Sequence, residues 1–403
     1  MSSDIFVSRR RTPSPVECAT GYLTIDLTAL GRNYRKLSSM LAPVRCAAVV
    51  KADAYGLGAE HVAKTLYDEG CRHFFVAQFV EAARLRPALA PDAQIFVLNG
   101  LQPGNEIACA ENGIIPVLNS LAQWRHWSTA ADTLKRTLPA VLQFDTGMSR
   151  LGFPPEERPE LAAALRDGGN VEILFIMSHL ASADEADGRQ NSDQLAEMTR
   201  IAHEFAELDI SFANSGGIFL GDAYHGVLAR PGIALYGGAP TAEANNPMEP
   251  VVRLDVAVVQ TRTVPVGTKV GYGGAHIAQR EMRLATIAAG YADGLPRSLS
   301  ERGAVYSNGV RLPIVGRVSM DSMTVEITAL PEGELPLGSL VEVLGPNQTL
   351  EDIARDAGTI SHEILTGLGD RYHRQYRQER APVCNAARTL ARVRRAVRKS
   401  VPD

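Results

Sequence analysis

The chain has 403 residues, too many for one ordinary domain, and its length predicts two or three. Hydrophobic residues make up 45% and charged residues 21%, and 41 basic against 45 acidic side chains leave a net charge of −4, a globular balance that excludes a nucleic-acid or membrane-surface role for the body of the chain. Five scattered cysteines (Cys18, Cys46, Cys71, Cys109 and Cys384), odd in number and without a CxxC pair, exclude a disulfide framework and point to a reducing compartment.

Residues 1–20 are polar and carry Pro and Ser, the signature of a disordered extension. Arg9, Arg10 and Arg11 are followed by Thr12, Pro13, Ser14 and Pro15 and not by an apolar stretch, so they do not read as a secretory signal. No apolar run reaches the roughly 20 residues that a membrane-spanning helix requires. The expected location is the cytoplasm.

The alternating segment Tyr22–Asp26 is a candidate strand of a second domain. Leu27, Leu30, Tyr34, Leu37 and Leu41 then follow helical spacing, with Asp26 or Thr28 as N-cap. Eight apolar runs come next: Ala47–Ala52, Phe74–Phe79, Gln94–Asn99, Ile114–Asn119, Ala140–Asp145, Ile173–His179, Phe212–Ser215 and Ile233–Tyr236. Their near-continuous hydrophobicity suits parallel strands buried on both faces. Helical patterns such as Asn191–Leu208 lie between them. Eight strand–helix units over about 200 residues predict a (β/α)8 barrel, whose chemistry gathers at the C-terminal strand ends.

After residue 250 the pattern turns to short β-branched segments: Arg253–Val264, Arg283–Ala289, Ala304–Ser307, Val310–Val318, Met323–Leu330 and Ser339–Leu344. Asn308-Gly309 is a hairpin-turn candidate. The predicted class is thus α/β, a TIM-like barrel over 21–250 followed by a mostly antiparallel β domain over 251–380. A basic tail, 381–403, carries six basic residues between Arg388 and Lys399.

The sharpest feature is the string from Val49 to Gly58, Val-Val-Lys-Ala-Asp-Ala-Tyr-Gly-Leu-Gly. A lysine at the end of a buried strand loses proton affinity on desolvation, which is what a Schiff-base amine needs near neutral pH. Taken alone, such a lysine more often leaves the strand end for solvent. The string resembles the cofactor-lysine motif of alanine racemases, and the resemblance runs from about Tyr22 to Tyr376. It includes Asp145–Gly152 (DTGMSRLG), Met177–Ala181 (MSHLA), Ala213–Ser215 and Arg230–Ile233 (RPGI). In the second domain it includes Val270–Gly273 (VGYG), Gly290–Gly294 (GYADG) and Gly316–Asp321 (GRVSMD).

The resemblance implies a pyridoxal 5'-phosphate (PLP) enzyme that interconverts L- and D-alanine, an isomerase working as a homodimer with shared sites and needing no metal. Lys51 would hold PLP covalently. Tyr55 and Ser215, with backbone N–H groups near Gly232 and Ile233 and with Asn214 beside them, would take its phosphate, in agreement with the recurrent phosphate site after the last strands of this barrel. Arg230 would donate to the pyridine nitrogen, leaving it uncharged because a guanidinium keeps its own proton. Tyr272 of the partner subunit would face Lys51 across the substrate. A phenol with an ordinary pKa of about 10 is a poor base at neutral pH, so a Tyr272–His179–Arg230 hydrogen-bonded chain is expected to assist it. Arg150 would bind the substrate carboxylate or the cofactor phenolate, as a guanidinium fork suits. Met320 and Asp321 would limit the pocket, and Tyr291, Arg297 and Arg317 would line its entrance.

Two positions depart from the family pattern. Gln143 stands where many members carry a carbamylated lysine that orients the arginine, so substrate affinity or specificity is open. Asp370 occupies the place of a phosphate-contacting tyrosine, with Tyr372 as a possible substitute. A racemase of broader specificity (serine, lysine), a decarboxylase on a similar two-domain barrel, and a non-catalytic PLP-binding protein are the rival readings. Arg230, the Tyr272 motif and the long second domain weigh against the last two.

Overall fold

The computed structural model describes residues 18–185, 187–242 and 245–378. Most of the expected N-terminal extension and the whole basic tail lie outside the described residues. Among the described residues no helix is long and apolar enough to cross a membrane.

Seven parallel strands run in chain order around one sheet: Ala48–Val49, His73–Val76, Gln94–Val97, Ile115–Leu118, Leu138–Gln143, Val171–Met177 and Ile210–Ser211. An eighth, Leu228–Ala229, pairs in parallel with Arg45–Cys46. Backbone bonds from Arg230 N to Ala213 O (2.9 Å) and from Ala47 N to Ala229 O (2.9 Å) close the ring. Phe74, Phe75, Ile95, Phe96 and Val97 are fully buried, and Phe75 stacks on Phe96 at 4.6 Å, as expected of strands covered on both faces. Six of the eight expected runs coincide with these strands. The last two are displaced: the seventh strand ends at Ser211, just before the expected Phe212–Ser215, and Ile233–Tyr236 is a 3-10 turn behind the Leu228–Ala229 strand. Pro231 carries no N–H and Gly232 packs nothing, so the apolar run after them cannot extend a ladder.

The second sheet holds eight strands. Its main path is Val310–Pro313, Ala304–Ser307, Leu340–Leu344, Val252–Val264, Gly21–Asp26 and His373–Arg377, while Met282–Ile287 and Met323–Glu326 continue it off the far half of Val252–Val264. Asn308 and Gly309 both have positive φ (49° and 81°), the backbone of a two-residue hairpin turn whose twist matches its strands. The N-terminal strand pairs antiparallel with Val252–Val264 and parallel with His373–Arg377. The first and the last strand of the described residues therefore both lie in the second sheet, with the barrel between. Asp26, at the end of that strand, caps the helix Leu27–Leu41 by accepting from Ala29 N at 2.9 Å.

After the fifth strand the DTGM segment folds back so tightly that Phe153 N donates to Gln143 O at 2.7 Å. Gly152 makes this approach, with φ +110° and space for a Cβ closed off at 2.5 Å by the Phe144 carbonyl carbon. Gly152→Ala is expected to cost about 1–3 kcal/mol, because neither the dihedral nor the backbone wall can yield. A lower urea midpoint of unfolding checks this, and an unchanged midpoint contradicts it.

Candidate active site

The C-terminal mouth of the barrel collects the residues that the motifs point to. Lys51 leaves the end of the first strand into an unusual backbone: Ala52, Asp53, Ala54 and Tyr55 all have φ between 52° and 58°. Left-handed backbone costs a non-glycine residue about 1–2 kcal/mol, so four in a row need support. Ala54 N donates to Val50 O (2.9 Å) and Gly58 N to Asp53 O (2.9 Å). Glu81, capping the helix Phe79–Leu85, accepts from Ala52 N at 2.6 Å and from Ala77 N at 2.8 Å. From the last strand of the second sheet, Arg374 donates to Gly56 O (3.1 Å) and Tyr376 to Leu57 O (3.0 Å). Both domains hold the lysine turn.

Burial lowers the proton affinity of Lys51, Arg150 nearby lowers it further, and Glu81 partly opposes them. The half-buried His179 is pushed down to about 3, first by burial and then by Arg230, Arg150, Lys51 and His362. Its imidazole is therefore neutral across the physiological range, free to accept at one nitrogen and donate at the other.

Arg230 is buried, and loss of solvation pushes it down to about 9. Its Nη1 donates to Ser211 Oγ (2.5 Å) and its Nη2 to Ser178 O (2.5 Å), while the Ser211 hydroxyl donates onward to Leu228 O (2.5 Å). All these acceptors are uncharged, so the guanidinium keeps its positive charge for whatever it faces. Ser211 is not marked by any motif of the sequence; its burial and its bond to Arg230 emerge only in the fold.

Tyr55 is buried, its ring 4.7 Å from that of Tyr236, and burial raises its phenol well above the usual range. A Cβ at residue 232 would collide with the Tyr55 hydroxyl, so Gly232 opens the space in which that hydroxyl sits. Ser215 Oγ accepts from Gly232 N (2.9 Å) and Ala234 N (3.3 Å). Tyr55, Ser215 and the turn Gly232–Ile233 thus form one polar corner, beside a turn tied to the first strand by Tyr236 Oη donating to Val49 O at 2.9 Å. Asn214 is turned to the loop, its amide bonded to Leu180 O and Gly217 N.

Arg150 is exposed at the mouth and makes no hydrogen bond or ion pair among the described residues. Gln143 is buried at the end of its strand. Tyr372 does not join this site: its ring lies against Gly21 in the second sheet. Asp370 is fully exposed and pairs with Arg374 at 3.4 Å. The second-domain ring beside Tyr55 is instead that of His362, at 5.8 Å between centroids. Its place on the helix Ser361–Gly367 was not legible from motif spacing.

Tyr272, Tyr291, Arg297 and Arg317 stand together elsewhere, lining a cleft of about 450 Å3 made of second-domain residues. Tyr272 is 69% exposed, Met320 53% and Tyr291 44%.

A mouth with Arg150 and Arg230, the desolvated amine of Lys51, the neutral imidazole of His179 and the ring of His362 sets two guanidinium charges around that amine, with Glu81 near Lys51 and Asp184 near His362. It suits a ligand with a phosphate at the Tyr55–Ser215 corner and further negative charge near Arg150, reached by a desolvated amine, and those are the features of pyridoxal phosphate. Family models agree: "Alanine racemase, N-terminal domain" matches residues 25–240 and "Alanine racemase, C-terminal domain" matches 251–376. The chain belongs to the alanine racemase family. It is 82% identical to "Alanine racemase, catabolic" of Rhizobium johnstonii, over 94% of this chain and all of that one, and 61% identical to the protein of the same name from Agrobacterium fabrum, over 93% and 96%. The crystal structure of the alanine racemase of Bartonella henselae, with covalently bound pyridoxal phosphate, superposes with a TM-score of 0.86 at 45% identity, covering 89% of this chain and all of that one. This racemase is accordingly a PLP-dependent isomerase of the two-domain barrel type.

Ser211→Ala leaves a buried Arg230 N–H without its acceptor, a loss of about 1–3 kcal/mol. Pyridoxal phosphate retention in equilibrium dialysis should weaken accordingly; unaltered retention contradicts the assignment. Arg150→Gln removes a charge that lowers the Lys51 pKa, so the pH at which PLP attaches to the apoprotein should move upward, as followed by absorbance of the bound cofactor. No movement, or a downward one, contradicts the coupling.

Proposed function

We propose that this racemase interconverts L- and D-alanine as a homodimer, with Lys51 of one subunit and Tyr272 of the partner subunit moving the proton on opposite faces of the substrate Cα. The observation that carries the shared site is the separation within one chain. Lys51 lies among barrel groups and His362, whereas Tyr272 is two-thirds exposed in a cleft of second-domain residues. An exposed face bearing Tyr272, Tyr291 and Met320 supports covering by a second copy, and a two-fold axis would bring each such face to the other subunit's barrel mouth.

Pyridoxal phosphate, when bound, draws electrons from the substrate Cα and so makes its proton removable. Lys51 holds the cofactor, and its lowered proton affinity makes the released amine a competent base for one face. Tyr272 of the partner subunit serves the other face, with His179 neutral and able to hydrogen-bond between that phenol and Arg230. Arg230 presents a permanent positive charge to the ring nitrogen, keeping it an acceptor and limiting electron withdrawal, which favours prompt return of the proton over side reactions. Arg150 binds the carboxylate, while Tyr55, Ser215 and the Gly232–Ile233 backbone hold the phosphate. Met320 and Asp321 of the partner subunit restrict the pocket to a small side chain.

Gln143, neutral and buried, supplies no negative charge to orient Arg150. This observation favours comparing alanine with serine and lysine as substrates. The 82% and 61% identical relatives are both catabolic alanine racemases by name, which supports the catabolic direction; a deletion strain that still grows on either alanine enantiomer as sole carbon source would oppose it.

Lys51→Ala and Tyr272→Phe should each slow racemisation by at least about 10²-fold, the usual contribution of a positioned acid or base. A doubly tagged, purified heterodimer of one Lys51→Ala and one Tyr272→Phe chain should recover about half of wild-type activity, since two-fold symmetry leaves one of its two sites intact. Sites confined to single chains would recover none.

A further inference from the structure

The groups expected to restrict the substrate pocket are held by a residue from another part of the chain. Met320 and Asp321 lie on a turn in which Ser319 N donates to Ser322 O at 3.0 Å. A second turn, 290–294, is stitched to it: Tyr291 N donates to Ser319 O and Ala292 N to Met320 O, both at 3.0 Å. The second turn closes on the buried carboxylate of Asp293, which accepts from Gly290 N at 2.9 Å. Onto this pair comes Arg371, just before the last strand. Its Nε and Nη2 take the two oxygens of Asp293 at 2.7 and 2.8 Å, and its Nη1 takes Asp321 at 2.6 Å. Three charge-assisted bonds from one planar fork fix orientation as well as distance. Gly369 N adds a bond to Asp293 O at 3.1 Å.

We infer that Arg371 is a positioning residue for the partner's active site: by clamping Asp293 to Asp321 it sets where Met320 and Asp321 stand, and so decides substrate fit in the neighbouring barrel. The inference rests on the shared-site reading above. Arg371 touches neither reacting atoms nor cofactor in this role. Without the clamp, Asp321 is an exposed carboxylate on an exposed turn, and Met320 loses its fixed height above the pocket. Arg371 follows directly on Asp370, where some family members have a phosphate-contacting tyrosine.

The test uses the holoenzyme. In Arg371→Met the KM for alanine is expected to rise about tenfold with kcat little changed, the pattern of lost binding common to ground and transition states. Preference for alanine over serine in kcat/KM should fall. Arg371→Lys, which keeps the charge but not the fork, should lie between the two. A purified heterodimer of one Arg371→Met chain and one Lys51→Ala chain should show the wild-type KM, because its one working site receives Met320 and Asp321 from the chain with Arg371 intact. An unchanged KM and selectivity in the Arg371→Met homodimer overturns the inference, and so does a raised KM in that heterodimer. So does a parallel fall of kcat/KM for both amino acids together with the melting temperature, which is the mark of a structural role alone. Failure of the shared site itself is read separately, by lack of recovery in the Lys51→Ala and Tyr272→Phe heterodimer.

Discussion

The left-handed turn that follows Lys51 is the constraint on which the site depends. A barrel strand delivers the lysine to the mouth, but Ala52 to Tyr55 would relax to ordinary backbone were they not held. The holding bonds come from Glu81 on one side and from Arg374 and Tyr376 of the last strand on the other. That strand is parallel to Gly21–Asp26 in the second sheet, so the first and last strands of the described residues and the lysine loop are held together. The same turn aims Tyr55 at Gly232, which ties the lysine to the polar corner formed with Ser215.

Electrostatics do the rest. Basic groups crowd the mouth, and the carboxylates that would neutralise them are few. Burial depresses the proton affinity of Lys51 and His179, and neighbouring basic groups add to this; the result is a lysine inclined to be a free amine and a histidine that is neutral. Arg230 keeps its charge because its partners are a hydroxyl and backbone carbonyls.

The second domain serves two surfaces. One side closes over its own barrel, bringing His362 beside Tyr55 and Arg374 onto the lysine turn. The other side exposes Tyr272, Tyr291 and Met320, with Arg371 clamping Asp293 to Asp321 beside them.

The barrel was legible from sequence because strands covered on both faces must be apolar throughout, and the second domain because a half-covered sheet must alternate. The hairpin at Asn308-Gly309 and the Asp26 cap followed from local backbone chemistry alone. The lysine stood out because a lysine at the end of a buried strand is costly to desolvate, whereas the Arg230–Ile233 string was placed at the mouth by its resemblance to the family motif. What a short apolar run becomes after a proline and a glycine is decided by neighbours, and so Ile233–Tyr236 became a turn. Ser211, His362 and Arg371 acquire their meaning only from partners 19, 307 and 78 residues away in the chain. Composition fixes how much of a chain must be buried, and periodicity which face; the pairing of one charged side chain with another across the fold is set by packing, and only the tertiary structure decided it.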